Sequence, residues 1–221
     1  MTKRKVYLAQ VNVTYSDYIA YLPYAAGCIA AYCWEDKEIK EAYELGDILY
    51  MRLKTEESLE KIKNPSVVGF SCYIWNMEYN LRLACMVKEK YPDCVIVFGG
   101  HNVPDDTTLL EKHDFIDVLI HAEGEEPFAG LLKNLNKGMD FSGVSDISYR
   151  KGDRIVTTEK KRVYDITSYP SPYKAGLFDR MFKEYPTVNF HATLETNRGC
   201  PYSCAFCDWC FTKKIRYFPL D

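Results

Sequence analysis

Residues 67–73 read VVGFSCY, a run without a charged side chain, preceded by Asn64-Pro65 and followed by Trp75-Asn76. The run is too short for a buried helix and the right length for a strand covered on both faces. Similar runs lie on either side of it, at 6–13 (VYLAQVNV), 45–53, 95–98 (VIVF) and 115–120 (FIDVLI). Helical signals separate them. Residues 24–34 are apolar enough for a buried helix. Thr55 before Glu56 and Glu57 puts acids in a first turn, and that helix ends near Asn64-Pro65. Asn76 can cap a helix running to about Tyr91, with Leu81, Ala84, Cys85 and Lys88 near one stripe. Asp105-Asp106-Thr107 opens another. Pro127 fits the first turn of a last helix, whose buried face is Phe128, Leu131, Leu132 and Leu135.

Strand and helix thus alternate through about residue 136, which predicts an α/β fold with a doubly wound, five-stranded parallel sheet in flavodoxin-like order. Ligands of such sheets sit at the carboxyl ends of the strands. The loops that matter are therefore 12–17, 71–76, 99–103 and 121–126. Further on, 147–149 and 155–158 look like a hairpin across Lys151-Gly152-Asp153, and a linker with Pro170 and Pro172 spans 165–174. Residues 192–195 are expected to be the first strand of a second unit. The predicted divisions are 1–140, 141–190 and 191–221.

With 28 basic against 31 acidic residues, the net charge is −3, and no basic footprint favours nucleic acid as a partner. The sequence has neither an apolar run long enough for a membrane helix nor a signal-peptide hydrophobic region, so a membrane partner is not expected. Nine cysteines, an odd number, argue against a disulfide framework and for the reducing cytoplasm. Cys28, Cys33, Cys72, Cys85 and Cys94 are scattered among apolar residues and read as small core hydrophobes.

The remaining four cysteines are clustered at 195–210, ETNRGCPYSCAFCDWC. Cys200, Cys204 and Cys207 form a C-x3-C-x2-C array. Thiolates are soft ligands that select iron–sulfur clusters or zinc. The uneven spacing suits a loop wrapped on one face of a cubane, with three sulfurs leaving the fourth iron open. Zinc is the competing reading, because Cys207 and Cys210 make a zinc-type pair and a fourth cysteine would close a tetrahedral site. On that alternative the chain is a doubly wound binding module with a zinc knuckle and no catalysis.

The array resembles the radical S-adenosylmethionine (SAM) superfamily. Cys200, Cys204 and Cys207 match its cluster motif, Phe206 stands at its usual aromatic on the SAM side, and Arg198-Gly199 resembles its lead-in. The resemblance implies a [4Fe-4S] cluster whose open iron is chelated by SAM, and an electron donor that drives SAM cleavage to methionine and a 5′-deoxyadenosyl radical. Cys210 departs from the pattern.

A doubly wound domain ahead of that motif resembles the cobalamin-binding radical SAM proteins, over essentially the whole chain. Ser71-Cys72-Tyr73 stands where the wider cobalamin-binding fold has Ser-x-Leu, and Gly99-Gly100 where it has a glycine pair. Small residues there let a corrin tail pass between loops. The Asp-x-His-x-x-Gly motif is missing, since residues 14–19 read TYSDYI. The resemblance implies cobalamin above the sheet, with Asn12, Ser71, Cys72, Tyr73, Gly99, Gly100, His101, Glu123 and Gly124 as candidate contacts. Plainer readings stand beside these. His101 and His121 are as well explained as satisfied loop histidines, 123–126 as a charged helix cap, Trp75 and Trp209 as core, and the domain as one with an empty pocket. The implied activity is methyl transfer or another radical reaction on an unidentified small molecule or peptide. Only eleven residues follow Cys210, so the barrel is expected to be truncated, and the segment from Thr193 to be poorly packed and inactive alone.

Overall fold

The computed structural model describes residues 2–13, 18–161, 163, 165–202, 204–207 and 214–219. Along the chain come β1 (Arg4–Ala9), β2 (Ile19–Tyr21), α1 (Tyr24–Cys33), α2 (Lys37–Ala42), β3 (Tyr43–Leu49) and α3 (Thr55–Lys61). Next are β4 (Pro65–Ser71), α4 (Met77–Lys90), β5 (Val95–Gly99), α5 (Thr108–Lys112), β6 (Val118–Ile120) and α6 (Glu125–Leu135). The rest comprises β7 (Ile147–Lys151), β8 (Arg154–Thr157), α7 (Asp179–Glu184), β9 (Asn189–His191), β10 (Asn197–Arg198) and β11 (Arg216–Tyr217).

Five parallel strands stand in the order β3-β1-β4-β5-β6, the doubly wound arrangement expected from the alternation. Side chains alternate across each strand, and the core divides accordingly. Val6, Leu8, Val67, Val97 and Val118 face one way, against Ala30 and Cys33 of α1, Ile39 of α2, and Phe128, Leu131 and Leu132 of α6. Tyr7, Val68, Phe70, Ile96, Phe98 and Leu119 face the other way, against Leu83, Ala84 and Val87 of α4 and Leu110 of α5. Ile96 and Phe98 are wholly buried, and each contributes roughly 1.5–3 kcal/mol by leaving water.

Past residue 140 the chain adds strands to the same sheet. The hairpin forms, but β7 pairs antiparallel with β6, so the sheet runs on to seven strands. A hairpin's turn is legible locally, whereas the partner of its outer strand is not. Within the stretch 165–174, read as a linker, Ile166 is buried; beyond it Phe178 and Met181 are buried, and the Phe178 ring closes on Gly27 of α1. Parallel pairing of β9 with β2 ties residues 189–191 to the first domain. The strand expected at 192–195 falls instead between β9 and β10, and Leu194 there is exposed.

Candidate functional site

At the carboxyl edge of the sheet, the loop after β4 lies against the loop after β5. Cys72 N–H donates to Gly99 O at 2.7 Å, and Asn102 N–H donates to Cys72 O at 3.0 Å. Gly100 adopts φ +103°, and a Cβ there would stand 2.8 Å from Cys72 O and 2.9 Å from Cys72 N. Only a residue without a Cβ permits this approach. The Cys72 side chain is buried beneath the contact, and that burial pushes its thiol up to about 12, so it stays protonated.

Three buried asparagines fix this floor. Asn76 accepts from Tyr73 N–H at 2.8 Å and donates to Ser71 O at 3.0 Å and Val11 O at 3.3 Å. It stands at the start of α4 as expected, but its side chain ties three loop residues and does not cap the helix. One turn later Asn80 donates to Ser71 O at 3.3 Å and Cys72 Sγ at 3.6 Å, and among the described residues its buried Oδ1 has no partner. Asn12, a candidate contact, is committed within the protein. Its amide donates to Tyr21 O and Tyr50 O at 3.1 and 2.8 Å, and its Oδ1 accepts from Tyr21 N–H at 2.7 Å. Arg52 donates to Asn12 O at 3.1 Å and Trp75 O at 2.8 Å, joining the loops after β1 and β4.

Above the floor, Tyr73 stacks on Trp75 with centroids 4.5 Å apart and planes 4° from parallel. The His101 ring lies 5.9 Å from Tyr73. Burial raises the Tyr73 phenol, and its hydrogen bond with Ser71 partly offsets this. Trp75 is 43% exposed and Ile74 83% exposed, so an apolar surface faces out beside the glycine pair. The edge of β3 carries a separate cleft, which includes none of residues 71–76, 99–103 or 121–126 in its lining.

After β6, His121 is engaged at both nitrogens, by Pro104 O at 3.0 Å and Ser148 Oγ at 2.7 Å. A carbonyl only accepts, so Nδ1 carries the proton and Nε2 accepts from the Ser148 hydroxyl. Burial lowers the ring's pKa and keeps it neutral. Gly124 packs its backbone against Ile29 of α1. Glu123 and Glu125 bind arginines from β10 and β11: Arg198 donates to Glu123 at 3.0 Å and to Glu125 at 2.7 Å, and Arg216 takes the other oxygen of Glu123.

The cysteine array begins directly after β10. Cys200 is half-buried, Cys204 and Cys207 are exposed, and Cys207 N–H donates to Cys204 O at 3.1 Å. Phe206 is 94% exposed. Among the described residues no three His, Cys, Asp or Glu side chains are gathered for a metal ion. The three thiols suit a cluster by donor chemistry, and their positions do not assemble it. Residues 14–17, Trp209 and Cys210 lie outside the described residues. Sequence reasoning missed Asn80, Arg52, Arg216 and the arginine partners of Glu123. A signal existed for Asn80, because two asparagines four apart share the buried face of α4.

A family model described as B12 binding domain matches residues 40–132. The chain is 38% identical over 211 residues to the cobalamin-dependent radical SAM methyltransferase TokK of Streptomyces tokunonensis, covering 93% of this chain and 30% of that protein. It is 35% identical, over the same shares, to 2-(S-pantetheinyl)-carbapenam-3-carboxylate methyltransferase of Streptantibioticus cattleyicolor. Among solved structures, the cobalamin-dependent SAM radical enzyme OxsB with aqua-cobalamin and SAM bound superposes with a TM-score of 0.70 at 19% identity, over 98% of this chain and 30% of that one. TsrM from Kitasatospora setae gives 0.61 at 16%, over 98% and 43%. At such identities these two likenesses establish the fold alone. Floor, glycine approach and domain match together define a cobalamin-binding doubly wound domain. Residues 40–132 carry the B12 binding domain match, and over 93% of its length the chain is similar to a cobalamin-dependent radical SAM methyltransferase. It spans about 30% of the length of the two curated relatives named above.

Proposed function

We propose that the whole protein is a cobalamin-dependent radical SAM methyltransferase, and that this chain supplies its cobalamin floor and its cluster ligands. The observation that carries the reading is the backbone contact of Gly100 with Cys72, which brings the loops after β4 and β5 together at the carboxyl edge. Cys200, Cys204 and Cys207 would hold the [4Fe-4S] cluster, with SAM on its open iron and Phe206 on the SAM side. When bound, cobalamin supplies methyl-group transfer, and the cluster with SAM supplies carbon-radical formation. The chain's own residues orient and shield. Tyr73, Trp75 and Ile74 offer an apolar surface that excludes water. Asn76, Asn80 and Asn12 hold the floor rigid, and Gly100 lets the loops after β4 and β5 close on each other.

His121 has both nitrogens occupied within the protein, by Pro104 O and Ser148 Oγ. The reading includes an electron donor for the cluster, a small-molecule or peptide substrate and a cytoplasmic location. Among the described residues no helix is long and apolar enough to cross a membrane.

Hydroxocobalamin titrated into this chain is expected to bind stoichiometrically by absorbance after gel filtration. Anaerobic reconstitution of the whole protein with iron and sulfide is expected to give cluster absorption that Cys200→Ala, Cys204→Ala and Cys207→Ala together abolish. Failure to retain corrin refutes the cobalamin half. Stoichiometric zinc that survives iron loading refutes the cluster half.

A further inference from the structure

β10 and β11 form a ladder with two residues on each strand, and they close the base of the segment that carries the cysteines. In its register Arg198 faces Arg216. Like charges directly opposite on antiparallel strands repel, so a ladder this short cannot hold by itself. Carboxylates from the turn after β6 resolve the conflict. Glu123 lies between the two guanidiniums, with one oxygen on each. Glu125, itself 4% exposed, takes the second Nη of Arg198 at 2.7 Å, and Glu195 takes its Nε at 3.1 Å. The Arg198 guanidinium also lies over the rings of Tyr169 at 5.8 Å and Phe218 at 5.3 Å. Arg216 gives its remaining Nη to Val163 O at 2.8 Å. The Arg198 side chain is left 14% exposed, so the pairs are screened little by solvent.

We infer that Glu123 and Glu125 form an acidic latch, which docks the base of the cysteine loop onto the β6–α6 turn and fixes where the thiols stand over the carboxyl edge of the sheet. Both are positioning residues acting through Arg198, which lies two positions before Cys200. Both oxygens of Glu123 are engaged by arginines. The inference rests on the proposed function only in naming the thiols as cluster ligands.

The test uses Glu125→Gln, which keeps the shape and removes the charge, and Arg198→Met. First, thermolysin cleavage within 199–215 is followed by mass spectrometry in this chain without cofactors. Glu125→Gln is expected to speed cleavage there about tenfold, as for loss of a buried charge-assisted bond, while cleavage within the sheet stays unchanged. In the Arg198→Met background the same substitution is expected to add nothing, because the pair acts as one unit. Second, in the whole protein loaded with cluster and cobalamin, the dipolar broadening between the reduced cluster and cob(II)alamin is expected to change in Glu125→Gln at unaltered iron and cobalt content. Unchanged cleavage, or effects that add in the double variant, overturns the latch. Faster cleavage with unchanged broadening overturns the positioning role. If the unsubstituted protein takes up no iron, the proposed function fails, and the cleavage arm still decides the latch.

Discussion

Adding one carbon to Gly100 tests the floor of the site directly. In Gly100→Ala the new Cβ falls 2.8 Å from Cys72 O and 2.9 Å from Cys72 N, and both are backbone atoms that no rotamer change can move. At φ +103° an L-residue carries strain on the order of 1–3 kcal/mol. Relief requires the loops after β4 and β5 to part, and that breaks Cys72 N–H to Gly99 O and Asn102 N–H to Cys72 O. Each such bond contributes about 1 kcal/mol, so with the strain the total loss is roughly 3–5 kcal/mol. For a protein of this size that lowers the melting temperature by about 6–20 °C. Gly138→Ala is the control: φ is +89° there and, among the described residues, nothing lies within 4 Å of the added carbon. It isolates backbone strain from close approach. Thermal unfolding by circular dichroism, followed by hydroxocobalamin titration, reads both effects. Gly100→Ala is expected to melt well below Gly138→Ala and to lose corrin retention. Equal melting of the two variants would refute the argument that backbone contact requires glycine at position 100.

Other outcomes follow from the same geometry. Asn76→Ala deletes bonds to Tyr73, Ser71 and Val11 in a fully buried site, and is expected to cost about 2–4 kcal/mol in urea unfolding. His121 has a folded pKa below its ordinary 6.5 because burial disfavours the charged ring. The unfolded chain therefore takes up a proton that the folded chain refuses. Stability from this group is present above about pH 6.5 and is lost as pH falls, at no more than about 1.4 kcal/mol per pH unit. Asp105, Asp146 and Lys160 act on the same ring, so His121→Gln, measured by urea midpoints from pH 5 to 8 (roughly the His range), is expected to flatten that slope without erasing theirs. Arg52→Met is expected to loosen the Trp75 loop, read as faster amide exchange at Ile74 and Trp75 with the melting temperature of the sheet nearly unchanged.

Much of the fold was legible because its five parallel strands are buried on both faces and separated by well-signalled helices. Val67, Val68 and Phe70 advertise themselves as apolar whichever face they serve. Four of the five scattered cysteines are buried, as their neighbours implied, and Cys85 is partly exposed. What stayed hidden depended on partners distant in sequence. Glu123 reads locally as an acid in a helix cap, and its arginines come 75 and 93 residues later. Asn12 reads as a loop residue and candidate contact, and the carbonyl of Tyr50 that it binds lies 38 residues on. Gly100 was found from its place after a strand, and the reason for it, the Cys72 backbone, appears only once two loops are side by side.

The hairpin at the far side of the sheet also bears on how copies of this protein coexist in solution. Without it, β6 would present its unpaired amides and carbonyls as an open template for a neighbouring molecule. Instead the outermost strand is the four-residue β8, with exposed Arg154 and Thr157 at its ends. So short and polar a border gives a second chain little to copy, which guards a strand-rich protein against runaway self-association.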